Sequence, residues 1–297
     1  MARLIAALFA LALVAAACGD DDAPVAADGP DRSSEPGYVD GTVHRGTATV
    51  LESPDHGPQL CGNVADSYPP QCGGPDIVGW DWDEVDGAES ANGVTWGAFE
   101  VTGTWDAEAQ TLTLTEAPGP PGEWNRDDVD LTSPCPEPAG GWMPEDPATT
   151  TAETMDRAFE VARSLPGYAG SWIDQSPNPA MAEGADPAEM EAAANDPELL
   201  VLDVLVTDDP EGAEAAIRAV WGGALCVSEA SHTEDELRAI QDEVVQDFRS
   251  EMVGAGIDTP GNQVTLHTYV ATDALRAELE ARYGDAVEIE ALLRPVD

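Results

Sequence analysis

Residues 199–210 read LLVLDVLVTDDP. The apolar run is rich in Val and Leu and too short for a typical buried helix, so it reads as a strand. Asp209-Pro210 then supplies a helix cap with proline in the first turn. Gly222-Gly223 closes that helix, and ALCVSEA (224–230) reads as a second strand. The same series recurs downstream: VTLHTYVAT (264–272) as a strand, a helix capped by Asp273 and closed by Gly284 after Tyr283, then VEIEALL (287–293) as the final strand. Leu202-Asp203-Val204-Leu205-Val206-Thr207-Asp208 parallels the stretch from Leu266 to Asp273, and Trp221–Val227 parallels Tyr283–Ile289. These are two copies of strand-helix-strand.

Between the copies, Thr233 and Glu236 form a capping box. Leu237, Ile240, Val244, Phe248 and Met252 share one face of the long helix that this box opens, which Gly254 ends. Upstream, Thr150 and Glu153 open a helix stopped by Pro166-Gly167. Two βαβ units of this kind predict a ferredoxin-like α+β domain over residues 150–297. Residues 38–118 read differently. TVHRGTATVL (42–51), VTWGAFEVTGTW (94–105) and QTLTLTEA (110–117) alternate small or β-branched residues with polar ones. They predict a small antiparallel β-barrel or sandwich, OB-like. The Pro- and Gly-rich stretch 119–149 links the two and is expected to pack, because it carries Trp124, Trp142 and Cys135. Four of the eight Trp, at positions 80, 82, 96 and 105, fall in the β domain and are expected chiefly in its core.

Strand parity yields one finer expectation. Cys226 occupies the place of Glu288 in the repeat. Leu225 and Val227 should face the helices, so Cys226 should face the open side of its sheet. The linker carrying Cys135 and Trp142 is expected to lie there. Cys61 and Cys72 bracket the short loop GNVADSYPPQ and are expected to pair. That leaves Cys135 with Cys226 as a long-range staple, the usage of an exported chain.

The N-terminus agrees with export. Arg3 is the only charge before residue 20, and residues 4–17 are uniformly apolar. That run is about 20 Å long as a helix, short of a membrane span, and reads as a signal peptide over residues 1–17. Ala15-Ala16-Ala17-Cys18 followed by Gly19-Asp20-Asp21-Asp22 resembles the lipobox of bacterial lipoproteins. The resemblance implies a diacylglyceryl, palmitate-type anchor on Cys18 and an extracytoplasmic, membrane-held protein. The Asp-, Pro-, Ala-, Gly- and Ser-rich composition makes residues 18–37 a lipidated, solvated and disordered tether. The runs YPPQCGGPDIVGWDW and VTWGAFEVTGTW are similar to stretches of secreted lipoproteins of high-GC Gram-positive bacteria. Neither likeness implies a catalytic residue.

The 297 residues carry 58 Asp and Glu against 12 basic residues, all Arg, for a net charge of -46. Such a chain repels nucleic acid. Lacking Lys, it has no Walker phosphate loop and no Schiff-base chemistry. The cluster Asp81-Trp82-Asp83-Glu84-Val85-Asp86-Gly87 has the acid density of a calcium loop without its alternate spacing. Asp81, Asp83 and Asp86 are the metal candidates. His44, His56, His232 and His267 belong to no HExxH motif, and neither GxSxG nor GxGxxG occurs. The expectation is a non-catalytic binding or scaffolding protein of the cell envelope. It needs no cofactor, and its partner is an envelope protein or a saccharide. The alternatives are a secreted hydrolase with a non-local site and a small-ligand or calcium receptor.

Overall fold

The computed structural model describes residues 41–122, 129–182 and 184–296. The signal, Cys18, the tether and Trp124 lie outside them. The protein is a mixed α+β fold with one large sheet and one small one. Strands β1 (Val43–Ser53), β2 (His56–Cys61), β3 (Asp76–Val78), β4 (Glu89–Ala91), β5 (Val94–Asp106) and β6 (Thr111–Leu114) come first. Their pairings close on themselves. β1 runs antiparallel to β2, β2 to β3, β5 to β6 and β1 to β5, while β3 and β6 are parallel. β4 forms a hairpin on β5 through Asn92-Gly93, both at positive φ, as a tight hairpin turn requires. Alternation fills the ring. Phe99, Val101 and Trp105 point inward from β5, and Ala48 and Val50 from β1. Trp80 and Trp82 pack against this core, each edge-to-face with Phe99.

The rest of the chain repeats a five-element unit. The first copy is α1 (Ala152–Arg163), β7 (Tyr168–Asp174), β8 (Val201–Val206), α3 (Pro210–Arg218) and β9 (Ala224–Glu229). A short α2 (Pro187–Ala193) is inserted between β7 and β8. The second copy is α4 (Glu234–Asp247), β10 (Met252–Asp258), β11 (Gln263–Val270), α5 (Asp273–Tyr283) and β12 (Val287–Pro295). In each, the first two strands are antiparallel and the last two parallel. Each first strand slips register at the same place, between Tyr168 and Gly170 and between Met252 and Gly254. Both strands end in Ile-Asp.

The duplication is therefore larger than two βαβ units. β10 was not expected: it begins at Met252, inside the expected long helix, and runs on through Gly254 to Asp258. Met252 continues the helical spacing of Phe248, but Gly254 and Gly256 favour an extended chain over a helix, and α4 stops at Asp247. Register also moves the alignment of the copies. Val204 faces Val227 as Leu266 faces Ile289, so Leu202 matches Val264 and not Leu266. The shift of two preserves the faces, and Cys226 does match Glu288, through Asp203 and Thr265. Caps move by one residue. α1 is boxed by Thr151 and Thr154, and α5 is capped by the Thr272 hydroxyl with Asp273 in its first turn. The Thr233–Glu236 box and the Asp209 cap are as expected.

The four parallel strands do not share a sheet. Among the described residues, β7-β8-β9 form a sheet of their own, whereas β12 continues into β1 through His44↔Pro295 and Arg45↔Arg294, giving a nine-stranded sheet. The physical reason lies at the edges. The outer edge of β12 is taken by β1, and on the opposite flank Asn63 and Gln241 side chains donate to the Val253 and Ala255 carbonyls of β10. Gly46 makes the first junction possible, since a Cβ there would overlap the Leu292 carbonyl. The strand ladder thus crosses the expected boundary between residues 38–118 and 150–297.

The disulfides Cys61–Cys72 and Cys135–Cys226 are both formed. They fit a chain that folds outside the cytoplasm. Among the described residues, no helix is long and apolar enough to cross a membrane.

Candidate functional site

β8 is buried on both faces, as a strand of continuous apolar residues should be. Leu202, Val204 and Val206 face α1 and α3, where Ala158, Ala162 and Ile217, with Trp221 just beyond α3, complete the core. On the opposite face, Val201, Ala224 and Cys226 pack against Cys135 and Trp142 of the 129–147 strap. This is the covered open face that the repeat parity implies. In its middle sits Asp203, a wholly buried carboxyl.

A charged side chain in that position needs partners. Trp172, Asp203 and Cys226 form one row across the three strands. Ser133 of the strap lies over them. Its hydroxyl donates to Asp203 Oδ1 at 2.7 Å, and its backbone N–H donates to Asp174 Oδ2 at 2.9 Å. Asp174, also buried, accepts a second bond from the Ser176 N–H at 2.6 Å. Trp172 Nε1 donates to the Leu131 carbonyl at 3.0 Å. One oxygen, Asp203 Oδ2, is buried and has no partner among the described residues. Burial is the main reason that the Asp203 pKa is pushed up to about 7, and the nearby Asp174 charge adds to it. The Ser133 hydroxyl acts in the other direction and does not compensate. Of the Asp203–Ser133–Asp174 cluster, only Ser133 borders the adjoining recess, whose volume is about 370 Å³. Asp130, Ser133, Trp172, Asp258 and Gly261 line this recess.

A second feature lies on the barrel. The loop closed by Cys61–Cys72 carries Tyr68, which is 77% exposed and meets Trp96 of β5 edge-to-face at 5.8 Å. Trp96 is half-buried on the outside of the barrel, unlike Trp105, which is buried.

The other candidates have local roles. Asp81 caps the turn Trp82–Glu84, accepting from the Asp83 N–H. Asp83 lies in that turn and Asp86 is exposed beyond it. Among the described residues, no three His, Cys, Asp or Glu side chains gather as metal ligands. His44 is buried beside the Thr42 carbonyl, and burial pushes its pKa down. His56 contacts the Gly57 carbonyl, His232 pairs with Asp285 at 3.5 Å, and His267 pairs with Glu290 at 3.1 Å. No serine hydroxyl is among these partners.

Sequence reasoning passed over Asp203 and Tyr68. The signal for Asp203 was present: a lone carboxylate inside an apolar strand must be solvated by something. Tyr68 has no such signal, because its partner is 28 positions away on another strand. No family model, curated protein or solved structure matches the chain.

Proposed function

We propose that the protein is a non-catalytic binding or scaffolding protein of the cell envelope, tethered to the membrane by lipid on Cys18. The observation that carries this reading is the exposed Tyr68 ring, held against Trp96 on a disulfide-closed loop. An exposed Tyr68 ring, braced edge-to-face by Trp96 and carried on a covalently closed loop, offers an apolar ring face at low entropic cost, suited to a sugar ring or a protein side chain. The closed strand ring β1-β2-β3-β6-β5 supports an OB-like assignment for the barrel, a class that takes up oligosaccharides and oligonucleotides. The charge of -46 disfavours the second of these. The lipobox-like run ending at Cys18 supports the anchor.

Two measurements test the reading. The folded chain should co-sediment with insoluble cell-wall saccharide, or form a crosslink from a photoreactive residue at Val64, and Tyr68→Ser should abolish either signal. Signals unchanged by Tyr68→Ser, or absent altogether from a well-folded protein, overturn the aromatic pair as the contact. Release of the full chain from membranes by Cys18→Ala tests the anchor separately.

A further inference from the structure

Ser133 holds the strap down through two different carboxyls: its N–H bonds to Asp174 and its hydroxyl to Asp203. Trp172 adds a third bond, to the Leu131 carbonyl. Two residues beyond Ser133, Cys135 is covalently fixed to Cys226, the register neighbour of Asp203. Residues 129–134 are thus attached by hydrogen bonds on one side of a covalent pivot. We infer that this segment is a proton-controlled strap: it lies shut over the small sheet while Asp203 is protonated, and it lifts about the Cys135–Cys226 pivot as Asp203 ionises.

Shut, the strap leaves Asp203 with no exposed surface, and Oδ2 has no partner among the described residues. An ionised carboxylate there keeps one oxygen unsolvated and faces a second carboxylate across Ser133. A neutral carboxyl removes that repulsion and most of the desolvation cost. Lifting the strap admits water and relieves the ionised form. The groups around Asp203 leave little alternative compensation. From β7 come Asp174 and the Trp172 ring, and from the strap comes the Ser133 hydroxyl. From β9 comes Cys226, whose sulfur is in a disulfide and does not titrate. Asp130 and Asp258, on the recess side of Ser133, are also acidic. The Asp203 pKa of about 7 in the shut form agrees with this balance. Val129 and Leu131, 57% and 48% exposed on the strap, and the face beneath it are the surfaces whose presentation changes.

The direction follows from linkage. Opening releases a proton between the pKa of an exposed aspartate, near 4, and the shut value near 7. The open fraction therefore rises with pH across that interval, by up to about tenfold per unit, and levels off above it.

Hydrogen exchange of the peptide containing residues 129–134, followed by mass spectrometry from pH 4 to 8.5, reads this directly. The oxidised chain is used, and rates are divided by the intrinsic rate at each pH. The corrected exchange is expected to climb to a plateau near pH 7, while peptides from β5 and β11 stay flat. Asp203→Asn, which cannot ionise, should remove the climb. Should that variant fail to fold, Asp174→Asn serves instead, and it should move the plateau to lower pH by removing the neighbouring charge. A flat wild-type profile, an equal climb in Asp203→Asn, or a plateau unmoved in Asp174→Asn would each overturn the inference.

Discussion

The two copies of the helix-strand-strand-helix-strand unit share a backbone plan and treat their open faces in opposite ways. In the second copy the face carries solvent-side pairs: His267 with Glu290, and Gln263 with Glu288. In the first copy the same register positions hold Leu205, Ser228, Val201 and Cys226, and a strap covers much of that face. Thr265 becomes Asp203, and Glu288 becomes half of a disulfide. The edges differ too. β12 gives its outer edge to the barrel, while β9 remains in a three-stranded sheet. A duplicated scaffold is thus specialised by what covers it. The copy joined to the barrel keeps ionic side chains in water, and the copy under the strap acquires a buried carboxyl and a covalent pin.

The largest test of that contrast is covalent. Replacing Cys135 and Cys226 together by Ser should cost roughly 4 to 5 kcal/mol, because the bridge closes a span of 91 residues. The same double replacement at Cys61 and Cys72, 11 residues apart, should cost roughly 3 kcal/mol. Urea unfolding of both oxidised variants against the native chain checks the order, and equal losses would break the link to loop length.

The second test concerns the aromatic residue at the C-terminal side of the second helix of each copy, α3 or α5. Trp221 is 1% exposed, and its Nε1 donates to the Ala224 carbonyl at 3.1 Å. Its counterpart Tyr283 is only partly buried and stands beside Arg282. Trp221→Ala should lose roughly 3 to 5 kcal/mol and Tyr283→Ala roughly 1 to 2 kcal/mol. Thermal melts that ranked them the other way would contradict the unequal cores.

Stability against pH sharpens the comparison at Asp203. Its folded pKa, about 7, lies above that of an unfolded aspartate near 3.8. The folded state then binds the extra proton between those values, so this group's contribution is full below pH 4 and lost as pH rises to 7. The loss is at most about 4 kcal/mol, from a shift of about 3 units. Because 58 acids repel one another over the same range, the measurement is the difference between native chain and Asp203→Asn from pH 4 to 8. A difference independent of pH would refute a raised pKa. The smallest effect belongs to the second copy's solvent face. His267→Ala should change stability by less than about 1 kcal/mol, since its pairing with Glu290 is partly exposed.

Much of this architecture is legible in the residues. LLVLDVLVTDDP announces a strand followed by a capped helix, because apolar run length, an acidic cap and proline act within a few positions. The facing of Cys226 follows from period-two alternation, and with it the place of Cys135 and Trp142. β10 was hidden because Met252 falls at a helical interval from Phe248, so two periodicities coincided on one residue. The metal candidates Asp81, Asp83 and Asp86 drew notice by density alone, and the turn uses Asp81 as a backbone cap. Asp203, by contrast, gave its signal through an isolated charge in an apolar strand, and only its partners were missing.

What the sequence by itself determined was local or periodic: most strands and helices (β10 and α2 are among the exceptions), their inward faces, the acidic surface and the disulfide partners. The tertiary structure alone decided the joining of edges. β12 extends into β1 and β9 does not, although both strands end parallel units, because backbone donors and acceptors are the same at every edge and carry no residue label. Only the packed chain shows which edge is covered, which is paired, and which buried carboxyl lies under a strap.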